Sequence, residues 1–72
     1  MNKTDERLWW ARCIREIQKL SGETLEELAD RWQVAVREVA YWKAGKRRPN
    51  GINAVRVFEY RAHLFMVEGR RI

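Results

Sequence analysis

Thr24 to Pro49, TLEELADRWQVAVREVAYWKAGKRRP, is the stretch whose reading decides the fold. Thr24 followed three residues later by Glu27 has the spacing of a capping box, which starts a helix. Leu25, Leu28, Ala29 and Trp32 then recur at i, i+3, i+4 and i+7, one apolar stripe along that helix. Gln33–Val34–Ala35 is a tight connection. A further short helix from about Val36 to Lys43 turns Val39 and Trp42 inward beside Val34, and Gly45 ends it. That helix runs straight into a cluster of cations, Lys43, Lys46, Arg47 and Arg48. Two short amphipathic helices, a tight turn and a basic exit predict a helix-turn-helix of the kind that lies on DNA.

The flanks read as the scaffold for this unit. Upstream, Thr4 is placed to cap a first helix, with Asp5 and Glu6 favourable in its positive first turn. Trp10, Cys13, Ile14 and Ile17 form its apolar stripe, and Ser21–Gly22 ends it. Downstream, Lys46 to Gly51 is a basic turn. VRVFEYR alternates like a strand, yet no Gly, Pro, Asn or Asp between Ala54 and Val67 supplies a hairpin turn. Ile52, Val55, Phe58, Ala62, Phe65 and Met66 also follow helical spacing, which predicts a helix from about Ile52 to Val67.

At 72 residues the chain has room for one core, so residues 1–72 form a single domain. The expected fold class is all-α, a compact four- to five-helix bundle. Charge is unevenly spread. Residues 1–36 hold six Lys/Arg against seven Asp/Glu, while residues 37–72 hold nine against three, within a total of +5. A basic half beside a near-neutral half is the footprint of a polyanion-binding face.

Other classes are poorly served. The one cysteine, Cys13, sits on an apolar stripe and reads as a small buried thiol. His63 has no second ligand at metal-binding spacing. No nucleophile–base pair or glycine-rich phosphate loop is present, so no enzyme, cofactor or metal is expected. MNKTDERLWW lacks the apolar core of a signal peptide, and no run approaches a membrane span; the expectation is a cytoplasmic, nucleoid-associated protein. Of the four tryptophans, Trp10, Trp32 and Trp42 fall on inward stripes and read as core rather than as stacking platforms for single strands. Trp9 lies off its stripe.

The ordered set Ile14–Arg15–Glu16–Ile17, Leu28–Ala29, Val34, Val39, Trp42 and Gly45–Lys46–Arg47–Arg48–Pro49 resembles the Cro/C1-type (XRE-like) helix-turn-helix family of bacterial and phage regulators. The likeness runs from about Ile14 to Leu64. It implies a lambda-repressor-like DNA-binding domain whose third helix enters the major groove. Val36, Arg37, Ala40 and Tyr41 would then read bases, with Arg37 able to donate two bonds to guanine. Thr24, Lys43, Lys46, Arg47 and Arg48 would hold the sugar-phosphate backbone. The resemblance further implies a homodimer on a palindromic operator; Phe65, Met66 and Val67, more apolar surface than one small monomer needs, are the expected interface. It would act as a repressor, possessed by a phage or mobile element and controlling its own operon.

The chain departs from the family at four points. Gln33 stands where glycine is usual and is expected to take a left-handed conformation. Leu25 replaces a phosphate-binding glutamine, and Glu23 an apolar residue whose packing Leu20 would supply. Glu38 lies near the groove face, to repel phosphate, accept from cytosine or orient Arg37. Two rival readings stand beside this one. One is an excisionase-like architectural binder with a wing in residues 52–72; the other is an antitoxin-like protein-interaction module.

Overall fold

The computed structural model describes the backbone of residues 2–71 and the side chains of residues 2–67. Four helices follow in order: α1 (Lys3–Ser21), α2 (Leu25–Trp32), α3 (Val36–Ala44) and α4 (Gly51–Arg71). No strand occurs among the described residues, so the fold is all-α and the C-terminal wing is overturned. Its physical reason is the one the sequence carries. With no turn residue between Ala54 and Val67 the chain has nowhere to reverse, and one helix satisfies its backbone groups. The side chains of Arg70 and Arg71, part of the basic half, lie outside the described residues.

Helix boundaries follow from caps. Asn2 caps α1, its Oδ1 accepting the Asp5 N–H at 2.9 Å. Thr4, expected in that role, instead lies in the first turn, where its hydroxyl accepts from the Arg7 guanidinium at 3.3 Å. Asn is as good a cap as Thr, so the helix starts earlier and gains hydrogen bonds. Gly22 closes α1 in the left-handed region at φ 72°. The capping box of α2 is complete: the Glu27 N–H donates to Thr24 Oγ1 at 3.1 Å and the Thr24 N–H to Glu27 Oε1 at 3.0 Å. Gln33 ends α2 at φ 56°, the left-handed conformation expected of it. Its side-chain amide donates to the Asp30 carbonyl at 2.7 Å, which offsets part of the strain.

The core draws on all four helices. Ile14 and Ile17 from α1 meet Leu28, Ala29 and Trp32 from α2, Val39 and Trp42 from α3, and Val57 from α4. Trp32 is central, its ring 6.2 Å from both Trp42 and Tyr60. Trp10 and Val34 pack against the cluster half-buried. Cys13 is also buried, and burial pushes its thiol up, away from the thiolate form. Trp9 stands edge-on to Trp10 at 4.9 Å, with the Arg61 guanidinium 5.8 Å from its ring. α4 packs mainly along α1, with a smaller contact to α2.

The rotation of α4 is unexpected. Val57 is fully buried, with Tyr60 and Leu64 half-buried against the core. The residues whose spacing marked the helix lie on the other side. Ile52, Val55, Phe58, Phe65 and Met66 are each 44–60% exposed. Polar anchors set this rotation. Arg56 donates to the Trp32 carbonyl at 3.0 Å, closing the end of α2. Arg61 reaches Glu16 on α1 at 3.2 Å, and the Tyr60 hydroxyl donates to Glu23.

Candidate nucleic-acid interface

The outward side of α3 is defined by what its inward side buries. Val39 and Trp42 face the core, so at 100° per residue the opposite face carries Arg37, Ala40, Tyr41 and Ala44. Val36 borders this face and is exposed. Arg37 is exposed, and no ion pair or hydrogen bond holds its guanidinium among the described residues. Ala40 and Ala44 leave open surface beside it. Ala44 escaped the sequence reading, although it stands seven residues after Arg37 and three after Tyr41 on that face.

The basic turn is anchored rather than loose. Gly45, at φ 75°, reverses the end of α3 in a conformation costly for any residue with a side chain. The Lys46 N–H then donates to the Tyr41 carbonyl at 3.0 Å, the close of a Schellman-type cap. Arg47 lies 5.0 Å and Lys46 6.0 Å from the Tyr41 ring centroid, so both fold back along α3. Arg47 also pairs with Glu38 at 3.0 Å. Glu38 therefore positions Arg47 rather than Arg37, a role outside the three expected of it. Arg48 pairs with Glu6 of α1 at 2.6 Å and ties the turn to the first helix. Pro49 is buried and Lys43 half-buried at the helix flank. The four cations expected to hold backbone are thus gathered around one end of α3.

Thr24 is less well placed for that work. Its hydroxyl oxygen is committed to the capping box, and Glu26 and Glu27 follow it in the first turn of α2. Glu23, Glu27, Asp30 and Arg31 line a shallow concavity there, a predominantly acidic surface. Positive potential therefore concentrates at the end of α3, and the start of α2 opposes it.

Glu23 is half-buried beside Leu20, Tyr60 and Leu64, where its carboxylate takes polar partners. Burial alone pushes its carboxyl up. Hydrogen bonds from Tyr60 and Arg31, with the Arg31 charge, outweigh burial and hold it below the usual carboxylate range. Arg31 pairs with it at 3.1 Å and stacks 4.1 Å over the Tyr60 ring. This clasp joins the α1–α2 loop, α2 and α4, with Leu20 half-buried in the same cleft. His63 stacks on Tyr60 at 6.5 Å from the exposed side.

Of the expected dimer residues, Phe65 and Met66 are exposed on the outer side of α4. Val67 lies elsewhere, lining a cleft with Leu20, Ser21, Glu23 and Tyr60. No helix among the described residues is long and apolar enough to cross a membrane. No protein-family model matches this chain, and no curated protein or solved structure matches it significantly.

Proposed function

We propose that the protein is a sequence-specific, double-stranded DNA-binding transcriptional regulator, a dimeric repressor that reads the major groove with α3. In this reading α2, the Gln33–Ala35 turn and α3 form a helix-turn-helix of the Cro/C1 kind. The observation that carries it is the outward face of α3. Arg37, without an ion pair or hydrogen bond among the described residues, stands on one face with Ala40 and Ala44 beside a basic turn whose backbone is held in place. Arg37 reads guanine, Val36 and Ala40 approach thymine methyl groups, and Tyr41 orients Arg47 and Lys46 toward phosphate. Bound at a promoter, such a protein excludes polymerase.

The outer face of α4 supports self-association. A helix apolar on both sides is ordinarily covered on both. Its five large exposed side chains present on the order of 500 Å², so two copies facing each other bury about 1,000 Å², near the lower bound of stable interfaces. Antiparallel pairing sets Phe58 against Ala62 and Val55 against Phe65, large against small. The same face favours the protein-partner reading as a second possibility, since a foreign helix would cover it equally well.

Selection of bound duplexes from a random library, with wild type and Arg37→Ala side by side, tests the reading. A palindromic motif whose guanine preference relaxes in the variant supports it. No enriched motif, with a co-purifying stoichiometric protein, moves the function to the interaction module. Sedimentation of wild type and Phe58→Glu tests the dimer: two-fold mass for the first and monomer for the second are expected.

A further inference from the structure

Five cations from two distant parts of the chain line one open concavity. Lys3 and Arg7 come from the first turns of α1, and Lys46, Arg47, Arg48 and Asn50 from the α3–α4 turn; together they enclose about 330 Å³. The carboxylates within reach do not balance them. Glu6 pairs with Arg48 and Glu38 with Arg47, while Lys3, Arg7 and Lys46 have no carboxylate partner among the described residues. The Arg7 Nε is shielded from solvent and has no acceptor among the described residues, although its terminal nitrogen reaches Thr4. A guanidinium N–H withdrawn from water without an acceptor is a cost that an incoming anion removes. The first turn of α4, which begins at Gly51 directly after Asn50, contains no acidic residue to neutralise its positive end.

We infer that this basin holds a phosphate group, supplied in the reading above by the sugar-phosphate backbone of DNA. The inference rests on that reading for the source of the phosphate but not for the site itself. Arginine's planar fork matches phosphate oxygens, and Lys3 and Lys46 add point charges from two sides. A shallow, open basin suits one charged group of an extended polymer, which stays partly solvated, better than an enclosed small molecule. The contact surface then spans α1 and the basic turn, with the Arg48–Glu6 pair fixing their separation. Lys3 and Arg7 thereby join the backbone-holding residues, and they do so without touching bases.

The test combines two readouts on the full chain. Fluorescence anisotropy with a duplex is measured across salt for wild type, Lys3→Gln, Arg7→Gln and Arg37→Ala. The NMR signal of the Arg7 Nε–H is followed on titration with duplex and, separately, with inorganic phosphate. Loss of about one unit of log K against log salt slope in Arg7→Gln or Lys3→Gln, with the selected motif unchanged, supports the site. A shift of the Arg7 Nε–H with duplex supports it directly. Lys3 is exposed, so its variant remains informative should Arg7→Gln disturb folding. Duplex binding with unaltered slope in both variants and a stationary Arg7 signal overturns the inference and leaves the regulator reading intact. No duplex binding, but an Arg7 shift that saturates with inorganic phosphate, overturns the regulator reading and supports the site for a free phosphate ligand. A signal that moves with neither probe overturns the site in every form.

Discussion

The α2–α3 unit and α4 use their apolar residues in opposite ways. In α2 and α3 the stripe that announces each helix is the stripe it buries: Leu28, Ala29 and Trp32, then Val39 and Trp42. In α4 the announcing stripe is exposed, and the buried face rests on Val57 with Tyr60 and Leu64 beside it. The difference shows what periodicity measures. It reports that a helix has an apolar side, but a helix with two such sides needs something else to choose between them. Here polar side chains favour the choice, because Arg56, Tyr60 and Arg61 each find a partner with Val57 turned inward.

The comparison breaks most visibly at the tryptophans. Trp42→Ala should cost about 3–5 kcal/mol, close to the whole stability of so short a domain. Circular dichroism should show it largely unfolded at room temperature. Phe58→Ala, which removes a comparable ring from the outer face of α4, should shift monomer stability by no more than about 0.5 kcal/mol. A large monomer destabilisation in Phe58→Ala would mean that the outer face is part of the core.

Within α4 the contrast sharpens to one residue type. Val57→Ala should cost about 2 kcal/mol and Val55→Ala almost nothing to the monomer, read by urea denaturation at low concentration. Equal losses would refute the rotation described here.

Next in size is the clasp that sets the rotation. Tyr60→Phe removes one hydrogen bond to Glu23 and should cost about 1 kcal/mol at neutral pH. The folded Glu23 carboxyl sits below its unfolded value. Its contribution is therefore fully present above the ordinary carboxylate range, about pH 4.3, and is lost as pH falls through the folded value. Acid unfolding should begin below that pH in wild type and at higher pH in Tyr60→Phe. Coincident acid midpoints would remove the clasp from the account.

The turn between α2 and α3 gives a pair of opposite, small changes. Gln33→Gly relieves a left-handed residue but adds backbone freedom, so a net gain of about 0.5 kcal/mol is expected by thermal melting. Gln33→Val should lose more than about 1 kcal/mol at the same site. If valine were tolerated, the left-handed conformation would not be what closes α2.

Much of the candidate site was legible because it is local. Val36, Arg37, Ala40 and Tyr41 share a face by helical spacing alone, and Gly45 marks where the cations begin. Ala44 was equally legible from its spacing and was passed over. Lys3 and Arg7 carried no such signal. They stand some forty residues before the turn they join, and only the packing of α1 against α3 brings them there. Glu38 was visible as a charge near the groove face, but its partner Arg47 lies nine residues on, past a reversal of the chain. The cap of α1 moved from Thr4 to Asn2 because several polar residues near a helix start can serve equally.

The sequence by itself determined helices α1, α2 and α3, the capping box of Thr24 and Glu27, the glycine that ends α3 and the inward side of Trp32 and Trp42. Those features depend on capping, backbone sterics and spacing within one or two turns, where interacting residues are chain neighbours. Tertiary structure alone decided which face of α4 is buried, which carboxylate meets which arginine, and that α1 shares a basin with the basic turn. These depend on partners distant in the chain, and several arrangements satisfy local preferences equally until the helices pack.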